Sequence, residues 1–176
     1  KKKVRRSWNA LELLLGEAPE EVLNVSGTNN DIHTTAMRKK GIQVTTVNLL
    51  EPADILSRYE DVLTSGQMAI WCSHCLEHQL NPGDFLKKIY DDLLPEGLLA
   101  ITVPPLKSKI VFAHVTGWNE AILLNQLVRA GFDCSQAIVM TYGYNISCVL
   151  RKKPADLEAI KRDLNEIKRY VPKKYV

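Results

Sequence analysis

The chemistry-bearing residues of this chain concentrate in one segment, Cys72-Ser-His-Cys-Leu-Glu-His78, and in His114 beyond it. Imidazole exchanges protons near neutral pH, so His74, His78 and His114 are candidate catalytic groups, His74 and His114 as direct acids or bases. With Glu77 the same residues offer up to four nitrogen or oxygen ligands to a divalent cation. A plainer reading stands beside these, in which the segment is scaffold, His78 is bonded to backbone or to Glu77, and no metal is held. Cys72 and Cys75 form a C-x-x-C, but a zinc ribbon needs a second such pair, and Cys134 and Cys148 are too far apart to supply it. Reduced thiols are expected.

These residues need elements to position them. Residues 68–72 form an apolar run that reads as a buried strand delivering His74 and His78 to its carboxyl end. Asn81 is a natural N-cap, Pro82 suits a first helical turn, and Phe85, Leu86, Ile89 and Leu93 line one face of the helix that follows. Residues 98–103 read as a central strand stopped by Pro104 and Pro105, with His114 and Trp118 in or beside the loop beyond, on the expected acceptor side. Upstream, Trp8, Leu11, Leu14 and Leu15 recur at helical spacing, and residues 21–25 and 42–47 read as strands. Between those strands, a turn over 26–31 leads into a helix capped by Asn30 or Asp31 and stopped by Gly41. Only about 15 residues remain between Pro52 and the strand at 68, too few for a full helix, turn and strand. One middle strand is therefore short or missing.

Downstream, Asn119 caps a helix carrying Ile122, Leu123, Leu127 and Val128. Residues 137–141 and 146–150, joined by Tyr142-Gly-Tyr-Asn145, form a terminal hairpin in which a structural role for Tyr142 and Tyr144 is favoured over substrate stacking. Alternating strands and helices imply an α/β fold, a mostly parallel twisted sheet with helices on both faces. Ligands are expected outside the carboxyl ends of the first strands.

A chain of 176 residues with 45% hydrophobic content supports one ordinary core. We read one domain over residues 1–153 and an amphipathic helix over residues 154–176, with Leu157, Ile160, Leu164, Ile167 and Val171 on its apolar face. Such a helix packs on its own domain more readily than it zips to a partner, which leaves monomer or dimer open. The formal net charge is +3, and the basic runs at 1–6, 151–153 and 173–174 read as solvated segments, so no nucleic-acid partner is expected. No apolar run approaches the ~20 residues of a membrane span, and a soluble, cytoplasmic protein is expected.

The order Ser73-His-Cys-Leu-Glu-His78, Asn81-Pro82, Pro95-Glu-Gly97 and Ala130-Gly-Phe132 resembles the second half of the class I methyltransferases that use S-adenosylmethionine, and the likeness spans about residues 20–152. It implies a Rossmann-like, seven-stranded sheet whose last strand is antiparallel, with the cofactor across the ends of the first, second and fourth strands. By that resemblance Ser26, Gly27, Thr28, Asn48, Ser73 and His74 would bind the cofactor. The chain departs from the family at two places. The G-x-G-x-G loop is reduced to Gly27, and Asn48 stands where a carboxylate usually receives the ribose hydroxyls. The implied function is methyl transfer from S-adenosylmethionine to a small molecule or glycan, at a hydroxyl oxygen. The alternative is a methyltransferase-like domain without cofactor that acts as a binding or scaffold module. A dinucleotide-dependent oxidoreductase is disfavoured, because G-x-G-x-x-G is absent from the first turn.

Overall fold

A computed structural model describes residues 5–176; the first four residues of the basic N-terminal run lie outside it. In chain order the elements are α1 (Trp8–Glu17), β1 (Glu21–Asn24), α2 (Ile32–Lys39), β2 (Gln43–Asn48), β3 (Ile55–Leu56), β4 (Gln67–Ser73), α3 (Pro82–Asp92), β5 (Leu93–Val103), α4 (Glu120–Ala130), β6 (Ile138–Tyr142), β7 (Asn145–Arg151) and α5 (Leu157–Arg162). The strands form one seven-stranded sheet in the order β3-β2-β1-β4-β5-β7-β6. β3, β2, β1, β4 and β5 run parallel, while β7 lies antiparallel to both β5 and β6. The Rossmann-like expectation holds, and the doubtful middle strand exists as the two-residue β3.

Side-chain alternation along the strands divides the core between the two faces of the sheet. Leu23, Ile70, Cys72, Leu99 and Ile101 point to the face covered by α3 and α4, where they meet Phe85, Leu86, Ile89, Leu123, Leu124 and Leu127. The residues between them, Val22, Ala69, Trp71, Leu98 and Ala100, meet Leu11 and Leu14 of α1 and Met37 of α2 on the other face. Because both faces are covered, β4 and β5 read as continuous apolar runs rather than alternating ones.

Local signals set the helix ends. Asp31 caps α2 by accepting from the Thr34 N–H, and Asn119 caps α4 by accepting from the Ile122 N–H. Gly41 follows α2 at φ 82. Asn81 does occupy the N-cap position of α3, yet its side chain makes no capping bond. β5 begins at Leu93, directly after α3, and the Pro-Glu-Gly stretch lies within it as an irregularity opposite Gln67 and Ala69, with Glu96 at φ 64.

The C-terminal segment differs from the single helix expected over 154–176. Only Leu157–Arg162 is α-helical; Asp163 caps a 3-10 stretch, Leu164–Tyr170, and a second 3-10 turn covers Lys173–Tyr175. Tertiary contact accounts for the break. Ile160 is buried, and Ile167, Tyr170, Val171 and Tyr175 pack against the α3/α4 core, a path that a straight helix could not follow. No helix among the described residues is long and apolar enough to cross a membrane.

Candidate functional site

The carboxyl ends of β2, β1 and β4 lie side by side, and polar side chains stitch the loops that leave them. The Ser26 hydroxyl accepts from the Ser73 N–H at 3.0 Å, and the Ser26 carbonyl accepts from Asn48 Nδ2 at 3.1 Å. Ser73 Oγ in turn lies 2.5 Å from Ser7 Oγ. A cleft of about 410 Å³ opens here, lined by Ser26, Asn48, Tyr59, His74, His78 and Phe85 among others. A second cleft of about 430 Å³, whose walls include Arg6, Gly27, Asp31, His33 and Ser73, shares Ser26 with the first.

Asn48 sits on the rim with both side-chain atoms engaged, since its Oδ1 also accepts from the Leu50 N–H at 3.0 Å. Asn48→Asp would place a carboxylate there, but it would also set an acceptor against the Ser26 carbonyl. We expect it to cost about 1 kcal/mol of stability. Chemical denaturation checks this, and an unchanged unfolding midpoint would show that the link does not hold the loop.

Gly27 lies against polar side chains rather than open space. A Cβ placed there would sit 2.1 Å from both Asn24 Nδ2 and Asp31 Oδ2. Asn24 is fully buried; its Nδ2 donates to Thr34 Oγ1 at 3.0 Å and its Oδ1 accepts from the Ser26 N–H at 3.2 Å. Thr28 lines neither cleft, and its N–H donates to Asp31 Oδ2 at 2.9 Å. Of the expected cofactor residues, then, Ser26, Asn48 and His74 line the first cleft, and Ser26, Gly27 and Ser73 the second.

His74 turns the chain out of β4 with φ 49, a left-handed conformation that histidine adopts more readily than most residues. Its N–H donates to the Thr102 carbonyl at 2.9 Å, and its Nε2 lies 3.0 Å from Asn145 Oδ1. Burial pulls its pKa down to about 4, so the ring is neutral at neutral pH. The 3-10 turn Leu76–His78 then presents Glu77 and His78. Glu77 is 1% exposed, its Oε1 lies 3.6 Å from both His74 Nδ1 and His78 Nε2, and its Oε2 has no hydrogen-bond partner. Desolvation raises the Glu77 carboxyl above the ordinary range.

The loop after β5 folds back on this turn, as the Val115 N–H donates to the Glu77 carbonyl at 2.9 Å. That fold brings His114 edge-on to His78, with ring centroids 5.2 Å apart. Desolvation first, and the neighbouring His78 second, pull His114 below the ordinary histidine range. His114 also lines a third cleft of about 250 Å³ with Lys107, Thr116, Trp118 and Tyr144 among others. Trp118 is 2% exposed and donates from Nε1 to Thr116 Oγ1 at 2.9 Å, while Lys107 Nζ lies 3.9 Å from the centre of the Tyr144 ring. All four cysteines are free thiols.

Several residues of the site carry no local signal in the sequence. Asn145 reads as a turn residue, and only the fold brings its Oδ1 to the N–H of Ser7, 138 positions away, and to His74. Tyr59 falls in the one stretch without periodicity, yet it walls the first cleft beside Phe85, with ring centroids 5.4 Å apart.

Comparison with protein families and with curated protein sequences finds no match. Solved structures do match. The 1,6-didemethyltoxoflavin-N1-methyltransferase of Burkholderia thailandensis is 19% identical with a TM-score of 0.70, over 84% of this chain and 78% of that one. The mitomycin 7-O-methyltransferase MmcR is 10% identical with a TM-score of 0.65, over 84% of this chain and 54% of that one. The N-methyltransferase NodS of Bradyrhizobium japonicum is 12% identical with a TM-score of 0.63, over 85% of this chain and 94% of that one. The strand order, the lone antiparallel strand in the sheet interior and these likenesses agree: the chain has the fold of the class I S-adenosylmethionine-dependent methyltransferases.

Proposed function

We propose that this protein transfers a methyl group from S-adenosylmethionine to a hydroxyl oxygen of a small molecule or glycan. The observation that carries the reading is the pair of clefts that share Ser26 as a lining residue, outside the carboxyl ends of β1, β2 and β4. That is where an open α/β sheet binds its ligands. Their size falls within the ~300–1,000 Å³ of small-molecule sites. An elongated cofactor with an adenosine half and an amino-acid half would occupy the two clefts on either side of Ser26. Asn48, Tyr59 and Phe85 would hold the first half, and Gly27 and Ser73 would border the second with Arg6 and Asp31 as charged partners. Thr28 would contribute through Asp31 rather than by contact.

When bound, the cofactor supplies an electrophilic methyl group on a sulfonium, and the protein's task is to align an acceptor lone pair with it. Trp118, Tyr144 and Lys107 would receive the acceptor in the third cleft. His78 and His114 would meet it from the neighbouring turn and loop, with His74 as a positioning residue held by Asn145 and the Thr102 carbonyl. The neighbours named above include both N- and O-methyltransferases. Lys107 and Lys109 in the third cleft's lining favour a neutral or anionic acceptor there.

Calorimetric titration of the full chain with S-adenosylmethionine and S-adenosylhomocysteine tests the proposal. We expect saturable one-to-one binding in the micromolar range. No heat, together with no thermal shift at millimolar ligand, would overturn the reading in favour of a cofactor-free binding module.

A further inference from the structure

Glu77, His78 and His114 each direct a ligand atom to one point, and the three atoms lie within 4.8 Å of one another. Hydrogen bonds on the far side of two imidazoles fix what faces that point. His78 Nδ1 lies 2.6 Å from the Ala113 carbonyl, which can only accept, so Nδ1 carries the proton and Nε2 presents its lone pair to Glu77. His74 Nε2 faces Asn145 Oδ1, and that amide is oriented by its own bonds: Oδ1 accepts from the Ser7 N–H and Nδ2 donates to the Tyr142 carbonyl. His74 therefore turns the lone pair of Nδ1 toward Glu77 as well. Glu77 Oε1 is thus set 3.6 Å from two acceptor nitrogens, while Oε2 is buried with no partner at all.

Such a gathering of lone pairs is unfavourable unless something positive lies among them. A proton, on the carboxyl or on one ring nitrogen, satisfies one of these contacts at a time. A divalent cation would engage Glu77 and His78 together, with His114 as a third ligand.

We propose that Glu77, His78 and His114 form a binding site for a divalent transition-metal ion. Two imidazoles and a carboxylate suit Zn²⁺, Mn²⁺ or Fe²⁺ better than Mg²⁺ or Ca²⁺, which prefer oxygen. With metal–ligand bonds of about 2.0–2.2 Å, binding draws the three atoms to separations of roughly 3.4 Å. The half-exposed His114 side chain, on a loop, can make that adjustment. His78 lines the first cleft and His114 the third, so an ion held by both side chains would be within reach of a molecule bound in either cleft. An acceptor hydroxyl bound to the ion would be oriented and made more acidic. This last role rests on the methyltransferase reading, whereas the site itself does not.

The test is titration of the full, untagged, chelator-stripped chain with Zn²⁺ and with Mn²⁺ by calorimetry, with no S-adenosylmethionine present. One equivalent of Zn²⁺ should bind saturably, and Glu77→Gln and His114→Ala should each weaken it at least tenfold while Cys75→Ser leaves it unchanged. His114→Ala removes only a loop side chain and should keep the unfolding midpoint, so it stands as evidence even if Glu77→Gln fails to fold. Absence of saturable binding of either ion, affinity unmoved by His114→Ala, or loss of binding in Cys75→Ser would each overturn the proposal. Because cofactor binding is measured separately, a metal-free protein that binds S-adenosylmethionine and a metal-binding protein that does not are distinct results.

Discussion

Replacing Asp92 with alanine should lower stability by about 3 kcal/mol and loosen one wall of the first cleft. The Asp92 carboxylate is 5% exposed, and its Oδ2 accepts from the Tyr59 hydroxyl at 2.5 Å, from Lys88 Nζ at 2.9 Å and from the Thr64 hydroxyl. Tyr59 is itself 3% exposed; burial, followed by its bond to Asp92, pushes the phenol well above its ordinary range, so it stays a donor. Removing the acceptor strands that buried hydroxyl, whereas Lys88, one turn back on α3, can reach water. The cost is therefore carried mostly by Tyr59 and by the charge-assisted bonds lost. For a chain of this size the unfolding midpoint should fall by on the order of 10 °C. Tyr59→Phe removes the stranded donor instead and should cost no more than about 1 kcal/mol. A loss below that value in Asp92→Ala would show that the cluster is not holding Tyr59 in place. Tyr59 stacks edge-on to Phe85 in the same cleft, so Asp92→Ala should also weaken ligand binding there, whereas a purely remote stabilising role would leave affinity unchanged.

Asp92 also illustrates what the sequence could and could not reveal. The apolar face of α3 was legible because Phe85, Leu86 and Ile89 repeat with helical period, and helical period is a local property. The parallel strands were legible for a similar reason, as apolar runs bounded by turn residues. Asp92 carries no local signal beyond a charge at a helix end, and Tyr59 lies in a segment with neither period. Their bond joins residues 33 positions apart, and Tyr59 lies in the segment that follows the two-residue β3. The C-terminal segment failed in the opposite direction. Its spacing of Leu157, Ile160, Leu164 and Ile167 is helical, but contact with the α3/α4 core broke the helix after Arg162. Tertiary packing outweighed a local preference worth only tenths of a kcal/mol per residue. For the candidate site, types and spacing singled out His74, His78 and His114, and the fold does draw His78 and His114 together. Which ring nitrogen of His74 and His78 carries its proton depends on Asn145 and Ala113, and no reading of spacing reaches those partners.

Gly27 offers the sharper test, because two explanations of it predict different results. If the glycine serves only to let a ligand approach the backbone, Gly27→Ala should fold normally and lose affinity alone. The packing argues for more. The added methyl carbon would begin 2.1 Å from Asn24 Nδ2 and from Asp31 Oδ2, well inside contact distance. Asn24 cannot retreat, being fully buried and bonded to Thr34 and to the Ser26 N–H. Asp31 can move, but it is the cap of α2, accepting from the Thr34 N–H at 2.7 Å and from the Thr28 N–H at 2.9 Å. Losing such a cap costs about 1 kcal/mol, and forcing a methyl into a packed loop adds roughly 1–3 kcal/mol. Gly27→Ala should therefore destabilise the chain by about 2–4 kcal/mol and also displace Ser26, which lines both clefts. Denaturant unfolding and S-adenosylmethionine titration on the same sample separate the accounts. Loss of both stability and affinity supports Gly27 as the packing point of the loop, whereas full stability with lost affinity would return it to a role in ligand approach alone.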